Sequence, residues 1–246
     1  MNTQSWDHLA RLGAGGLQRP TDAASYGPGG PTERTVRLLG DLRGKRVLEL
    51  GCGSTPSAIA FSRQGATAIA IDASEAQLAN ARRLAESEEV KVEFHCCDVA
   101  DLAFLRADSI DLVFSAYALD EVEDVNRVFR QVHRVLRHHA GFVFSTQHPV
   151  AAMLGRDGPS SKGRSGTATL PLGNFVVTRS YFDAEPVTVD VDGQPVVTYP
   201  RPVSDVFMAL GRAGFDVDAI VEAPFTEGDA PGVPATIIWR ARKEGV

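Results

Sequence analysis

The sequence predicts an α/β fold with a doubly wound parallel sheet, and three patterns carry that expectation. From Arg46 to Thr146, short runs of strand character alternate with helical runs, as in a parallel sheet covered by helices on both faces. The apolar, partly β-branched run Arg46 to Leu50 passes directly into Gly51-Cys52-Gly53, a turn tight enough to bring bare backbone against a neighbour. The final strand-like runs, Phe215 to Glu222 and Ala235 to Ala241, are joined by a connection short enough for antiparallel pairing.

The elements follow in order. Residues 1–31 read as an N-terminal arm, because Thr21 to Pro31 is rich in Gly and Pro around Tyr26, and a helix is expected from Thr32 to Leu39. Residues 32–246 then form one domain, a size consistent with a single large core carrying embellishments. After the glycine turn, Thr55 is placed to cap a helix with Pro56 at its first position. A second strand, Thr67 to Ile71, ends in Asp72. Ser74-Glu75-Ala76-Gln77 has capping-box spacing and opens a helix to about Glu86. Val90, Val92, Phe94 and Cys96 alternate as a third strand closed by Asp98, and Ile110 to Ser115 forms a fourth. Val125, Val128, Phe129, Val132, Val135 and Leu136 line one helical face before a fifth strand, Gly141 to Thr146. The alternation then breaks over 149–202, rich in Gly, Pro and Ser, with strand-like runs at Phe175 to Tyr181 and Val187 to Val191; this segment reads as an insertion or lid. A helix from Ser204 stops at Gly214.

Composition narrows the classes of partner. A net charge of −6 argues against a ligand held mainly by its phosphates, so no nucleic-acid partner is expected. Cys52, Cys96 and Cys97 offer neither zinc spacing nor a disulfide framework, which points to a reducing, cytoplasmic setting, and no Asp, His or Cys set demands a metal. Met1 to Arg19 has no continuous apolar core, so neither a signal peptide nor a membrane anchor is expected.

In open parallel sheets, ligands sit beyond the carboxyl ends of the strands, and Glu49, Asp72, Asp98 and Ser115 all end strands there. Asp72 follows Gly53 at a distance suited to accepting both ribose hydroxyls of an adenosine. Taken together, this set resembles the class I S-adenosylmethionine-dependent methyltransferases over roughly Thr32 to Arg242, most closely the small-molecule subgroup of type 11 and type 25. The resemblance implies a Rossmann-like seven-stranded sheet of order 3-2-1-4-5-7-6 and S-adenosylmethionine as cofactor. It implies that the backbone at Gly51, Cys52 and Gly53, helped by Glu49, holds the methionine end. It assigns Asp72 and Ala73 to the ribose, with Gln77 on the following helix. Cys97-Asp98-Val99 goes to the adenine, and Ser115, Ala116 and Tyr117 to the sulfonium and the acceptor entrance. Arg201-Pro202-Val203-Ser204 through Gly214-Phe215 is similar to the C-terminal segment of that subgroup. The family's third glycine is Thr55 here, and Pro56 stands where a dinucleotide fingerprint wants its last glycine, which disfavours a nicotinamide reading.

Methyl transfer from a sulfonium needs positioning and, where the acceptor requires it, removal of a proton. His148, just past the fifth strand, is the expected base, Tyr117, Asp120 and Glu121 form a second set placed to orient a polar acceptor, and Tyr26 is expected to close over the cofactor's carboxylate end. Each has a plainer alternative. His148 satisfies a loop carbonyl, Tyr117 packs, Tyr26 anchors the arm, and the acids complement a helix dipole. The expected reaction is methylation of an oxygen or nitrogen of a small molecule. The competing readings are a protein or nucleic-acid methyltransferase and a non-catalytic nucleoside sensor. Oligomeric state and acceptor are not legible.

Overall fold

The computed structural model describes residues 2–13, 20–28, 30–156, 175–224 and 232–245. The chain runs α1 (Asn2–Leu12), α2 (Glu33–Val36), β1 (Arg46–Leu50), α3 (Ala58–Arg63), β2 (Thr67–Asp72), α4 (Glu75–Ser87), β3 (Val92–Cys96) and β4 (Ile110–Ala116). A 3-10 turn at Ala118–Glu121 leads to α5 (Val125–Val135), β5 (Leu136–Gln147), α6 (Pro149–Ala152), β6 (Leu154–Arg156), β7 (Phe175–Val177), β8 (Val187–Val191) and β9 (Gln194–Thr198). Then come α7 (Val203–Arg212), β10 (Phe215–Pro224) and β11 (Pro234–Lys243). The main sheet has the order β10-β11-β5-β4-β1-β2-β3, which is the expected 3-2-1-4-5-7-6. β5, β4, β1, β2 and β3 are parallel, and β11 inserts antiparallel between β5 and β10.

Both faces of the sheet are buried, as the near-continuous apolar runs of β1, β2 and β4 require. Alternation sends Leu48 and Leu50 to the face packed by Val128, Phe129 and Leu210 of α5 and α7, and Val47 to the face packed by Leu42, Phe61 and Leu78. The C-terminal ends of β1, β2 and β4 therefore emerge at one rim of a rigid platform.

Three expectations change. The helix over 32–39 is only one turn, because Arg37 turns left-handed at φ 53° and the Glu33 carboxylate accepts from Leu38 N and Leu39 N, drawing the chain out of helix. The helix after the glycine turn begins at Ala58 and not at Pro56, because the carboxylate of Glu49, rather than Thr55, meets its first amides. The N-terminal arm holds α1, whose Ser5, Leu9 and Ala10 are buried against the domain. Of the expected insertion, 157–174 lies outside the described residues. The rest gives the short β6–β7 pair and a β8–β9 hairpin turning at Asp192 (φ 48°) and Gly193 (φ 81°), as a tight primed turn requires.

Arg201, half-buried beside this hairpin, ties it to the platform. Its guanidinium donates to the carbonyls of Leu119 and Tyr199 at 3.3 and 2.9 Å, to Glu123 O at 3.1 Å, and also to Val122 O. Arg201→Met strands those carbonyls, so urea denaturation is expected to show a loss of about 2–4 kcal/mol. An unchanged midpoint contradicts this role.

Candidate functional site

The glycine turn is shaped by two carboxylates. Gly51 and Gly53 sit at φ 63° and 62°, where a side chain is strained, and a Cβ on Gly51 would overlap the Cβ of Ala118. The fully buried Glu49 accepts from Ser57 N at 3.0 Å and Ala58 N at 2.7 Å, so it holds the turn from below against the start of α3. Asp72 accepts Gly53 N through Oδ2 and Ser74 N through Oδ1, each at 2.9 Å, so one side chain joins the turn to the start of α4. Cys52 N donates to Ile71 O at 3.0 Å, closing the turn onto β2.

Above the turn lies a cavity of about 580 Å³, within the range of small-molecule sites. Gly51, Cys52, Gly53, Asp72, Ala73, Gln77, Asp98, Val99, Ala116 and Tyr117 all line it, so most of the sequence-derived set meets in one place. Gln77 Oε1 accepts from Ser54 Oγ, and Asp98 Oδ1 accepts Ala100 N at 2.7 Å in a local turn. Tyr117 takes the left-handed conformation at φ 65°, packs its ring where Gly27 leaves room, and shares a 2.6 Å hydrogen bond with Thr236 Oγ1. Burial pushes its phenol up to about 12.

Five expected contacts fall elsewhere. His148 is 4% exposed and does not line the cavity. Its Nδ1 accepts Val150 N at 3.1 Å, which leaves the proton on Nε2 to donate to Glu222 on β10 at 2.8 Å, so both ring nitrogens serve the α6 cap and the sheet edge. The base assignment to His148 is therefore withdrawn. Tyr26 is fully buried beneath the sheet, donating to Glu33 Oε2 at 2.6 Å and packing edge-on against Phe114, so it anchors the arm and does not reach the cavity. Ser115 is buried with its hydroxyl on Leu50 O at 3.1 Å, and Cys97 meets Asp72 O through its backbone N at 3.1 Å. Neither lines the cavity, and neither does Glu49, which braces the turn through Ser57 N and Ala58 N.

The residues missed by sequence reading come from α1 and the hairpin. Asn2, Thr3 and Trp6 of α1 roof the cavity, and Tyr199, just after β9, forms part of its wall. Asn2 exchanges two hydrogen bonds with Val197, at 2.8 and 2.9 Å, and Ser5 Oγ donates to Pro195 O at 2.7 Å. At its other side, Asp7 Oδ1 accepts Ser74 Oγ at 2.5 Å, so α1 bridges the start of α4 and the hairpin. Glu121 completes the wall, accepting Trp6 Nε1 at 2.7 Å and Asn2 Nδ2 at 2.9 Å through Oε2. The apolar period of α1 is short, and the only available signal was its Ser5, Leu9 and Ala10 spacing.

Comparison with known proteins agrees with this fold. Residues 48–144 match the family described as "Methyltransferase domain". The ubiquinone biosynthesis O-methyltransferase of Bordetella avium is 35% identical over 109 residues, 44% of this chain and 45% of that protein, so the chain spans about half the length of the curated relatives it matches. A crystal structure of an S-adenosylmethionine dependent methyltransferase from Mesorhizobium loti superposes with a TM-score of 0.66 at 31% identity, covering 84% of this chain and 94% of that one. The cyclase SpnF shares the fold at 17% identity, with a TM-score of 0.63 over 100% of this chain and 96% of its own.

One carboxyl beside the cavity titrates unusually. Burial pushes Asp120 up to about 7 from 3.8, against the pull of Gln147 N, which it accepts at 2.8 Å, and of Arg201. The folded chain thus holds a proton that the unfolded chain releases, and stability falls as pH rises from about 4 through 7. Asp120→Asn keeps an oxygen for Gln147 N and removes the titration. Its melting temperature relative to the parent is expected to be higher at pH 8 than at pH 5; an equal difference at both pH values refutes the assignment.

Proposed function

We propose that this chain, which belongs to the class I S-adenosylmethionine-dependent methyltransferases, transfers a methyl group from S-adenosylmethionine to an oxygen or nitrogen of a small molecule. The observation that carries the reading is the meeting, in one cavity, of the glycine turn, Asp72 and Asp98 with an aromatic wall of Trp6, Tyr117 and Tyr199. S-adenosylmethionine is the cofactor of this family, and when bound it supplies an electrophilic methyl group on a sulfonium.

The residues present suit that cofactor. A Cβ direction at Gly53 meets nothing within 4 Å, so ligand can lie directly on the backbone. Asp72 lines the cavity to take the ribose hydroxyls, Asp98 to take the adenine amino group, and Val99 to flank the ring. Ala73, Ala116 and Ala118 give the lining small apolar side chains. Tyr117, hydrogen-bonded to Thr236, orients the acceptor as a wall and does not act as a base.

The small-molecule reading draws on the electrostatics of the mouth. Asp72, Asp98, Glu121, Glu123 and Asp124 line the cavity, and Arg127 is the only cationic side chain lining it among the described residues. Such a wall repels a phosphate polymer. Relatives named O-methyltransferases favour oxygen as the acceptor atom. No helix among the described residues is long and apolar enough to cross a membrane, and a cytoplasmic location remains the proposal drawn from cysteine usage.

A screen of small hydroxy and amino compounds with S-adenosylmethionine is expected to release S-adenosylhomocysteine with at least one of them. Release only when protein or nucleic acid is supplied overturns the small-molecule reading. Cofactor binding without release from any acceptor supports the sensor instead.

A further inference from the structure

We propose that Glu121 receives the acceptor's proton through Oε1 and that Asn2 and Trp6 position it for this; the inference rests on the methyl-transfer reading above and supplies the group that His148 does not. Both hydrogen bonds from α1 land on Oε2. Among the described residues Oε1 has no partner, and Glu121 lines the cavity. A carboxylate held by one oxygen with the other open is fixed in direction and still able to accept a hydrogen bond.

The geometry around it is that of a receiving group rather than a structural ion pair. Among the described residues no cation bridges to Glu121, and the donors it meets there are the neutral amide of Asn2 and indole of Trp6. The donors come from α1, the element that roofs the cavity, so the carboxylate is oriented only when the roof is docked. Burial, with a contribution from nearby Asp72, also holds its carboxyl above the usual range, which makes it a better proton acceptor than an exposed glutamate.

The step balances without another reactant. The acceptor oxygen forms a bond to the methyl carbon, the carbon–sulfur bond breaks with its electron pair passing to sulfur, and the hydroxyl proton passes to Oε1. The sulfonium charge is thereby lost, Glu121 becomes neutral, and solvent later removes the proton.

Glu121→Gln separates this role from a structural one. The amide oxygen still accepts from Trp6 and Asn2, while an N–H group replaces the open acceptor. The probes are phenol, which stays protonated at neutral pH and donates a hydrogen bond, and anisole, which cannot, each titrated calorimetrically into the protein saturated with S-adenosylhomocysteine. The parent is expected to bind the phenol about tenfold more tightly than the ether, as a hydrogen bond to a charged group gives. Glu121→Gln is expected to abolish that preference while S-adenosylhomocysteine affinity stays within about twofold. Trp6→Phe, which keeps the ring and loses the indole donor, is expected to lower the preference in part. Equal binding of the two probes by the parent, or a preference retained in Glu121→Gln, overturns the proposal. Failure of S-adenosylhomocysteine itself to bind sinks the methyl-transfer reading before either probe is added.

Discussion

The hydrogen bond from Gly53 N to Asp72 Oδ2, 2.9 Å long, is the constraint on which the site depends. It fixes a turn that passes through the left-handed region at both Gly51 and Gly53, a path that costs backbone entropy and gains no side-chain packing. The compensation comes from two carboxylates at strand ends, Glu49 fully buried and Asp72 half-buried. Glu49 spends its two oxygens on the start of α3, and Asp72 divides its own between the turn and Ser74 at the start of α4. Two strands and two helices are thereby locked to one loop, and the loop presents bare backbone to the cavity.

The roof is held differently. Across the cavity α1 makes polar contacts, Asn2 with Val197 and Glu121, Ser5 with Pro195, Trp6 with Glu121, and Asp7 with Ser74. Arg201 fixes the neighbouring hairpin from behind by satisfying four carbonyls, and Tyr199 N donates to Asp120 O at 2.7 Å. Floor and roof thus have separate fastenings. The floor belongs to the sheet, whereas the roof is held over the cavity by these hydrogen bonds and against the domain by buried Leu9 and Ala10. That division suits a site that must enclose a nucleoside and still admit an acceptor.

Much of the floor was legible because it is local. The strand, the glycine turn and Asp72 stand within a short stretch, and the apolar face of α5 repeats with a helical period that survives in Val125, Val128, Phe129, Val132 and Val135. The seven-stranded order followed from resemblance and holds in the structure. The roof was not legible, because α1 owes its position to Val197 and Glu121, 195 and 119 residues away from Asn2. His148 was misread for a related reason. Proximity to a strand end says nothing of direction, and β11 and β10 draw its ring toward Glu222 at the sheet edge. Tyr26 is turned away from the cavity for a packing reason: its ring lies edge-on to Phe114 in the cluster with Leu42 and Phe61, and its hydroxyl donates to Glu33.

A nucleoside held over the glycine turn by Asp72 is what the rest of the site's chemistry requires. Calorimetric titration of S-adenosylhomocysteine into the parent chain and into Asp72→Ala tests that claim most directly. The parent is expected to bind and the variant to lose about tenfold or more in affinity, since it forfeits both the ribose acceptor and the brace on Gly53. Equal affinity in the two proteins, or no binding of the sulfur nucleoside by a parent that binds NAD, contradicts it.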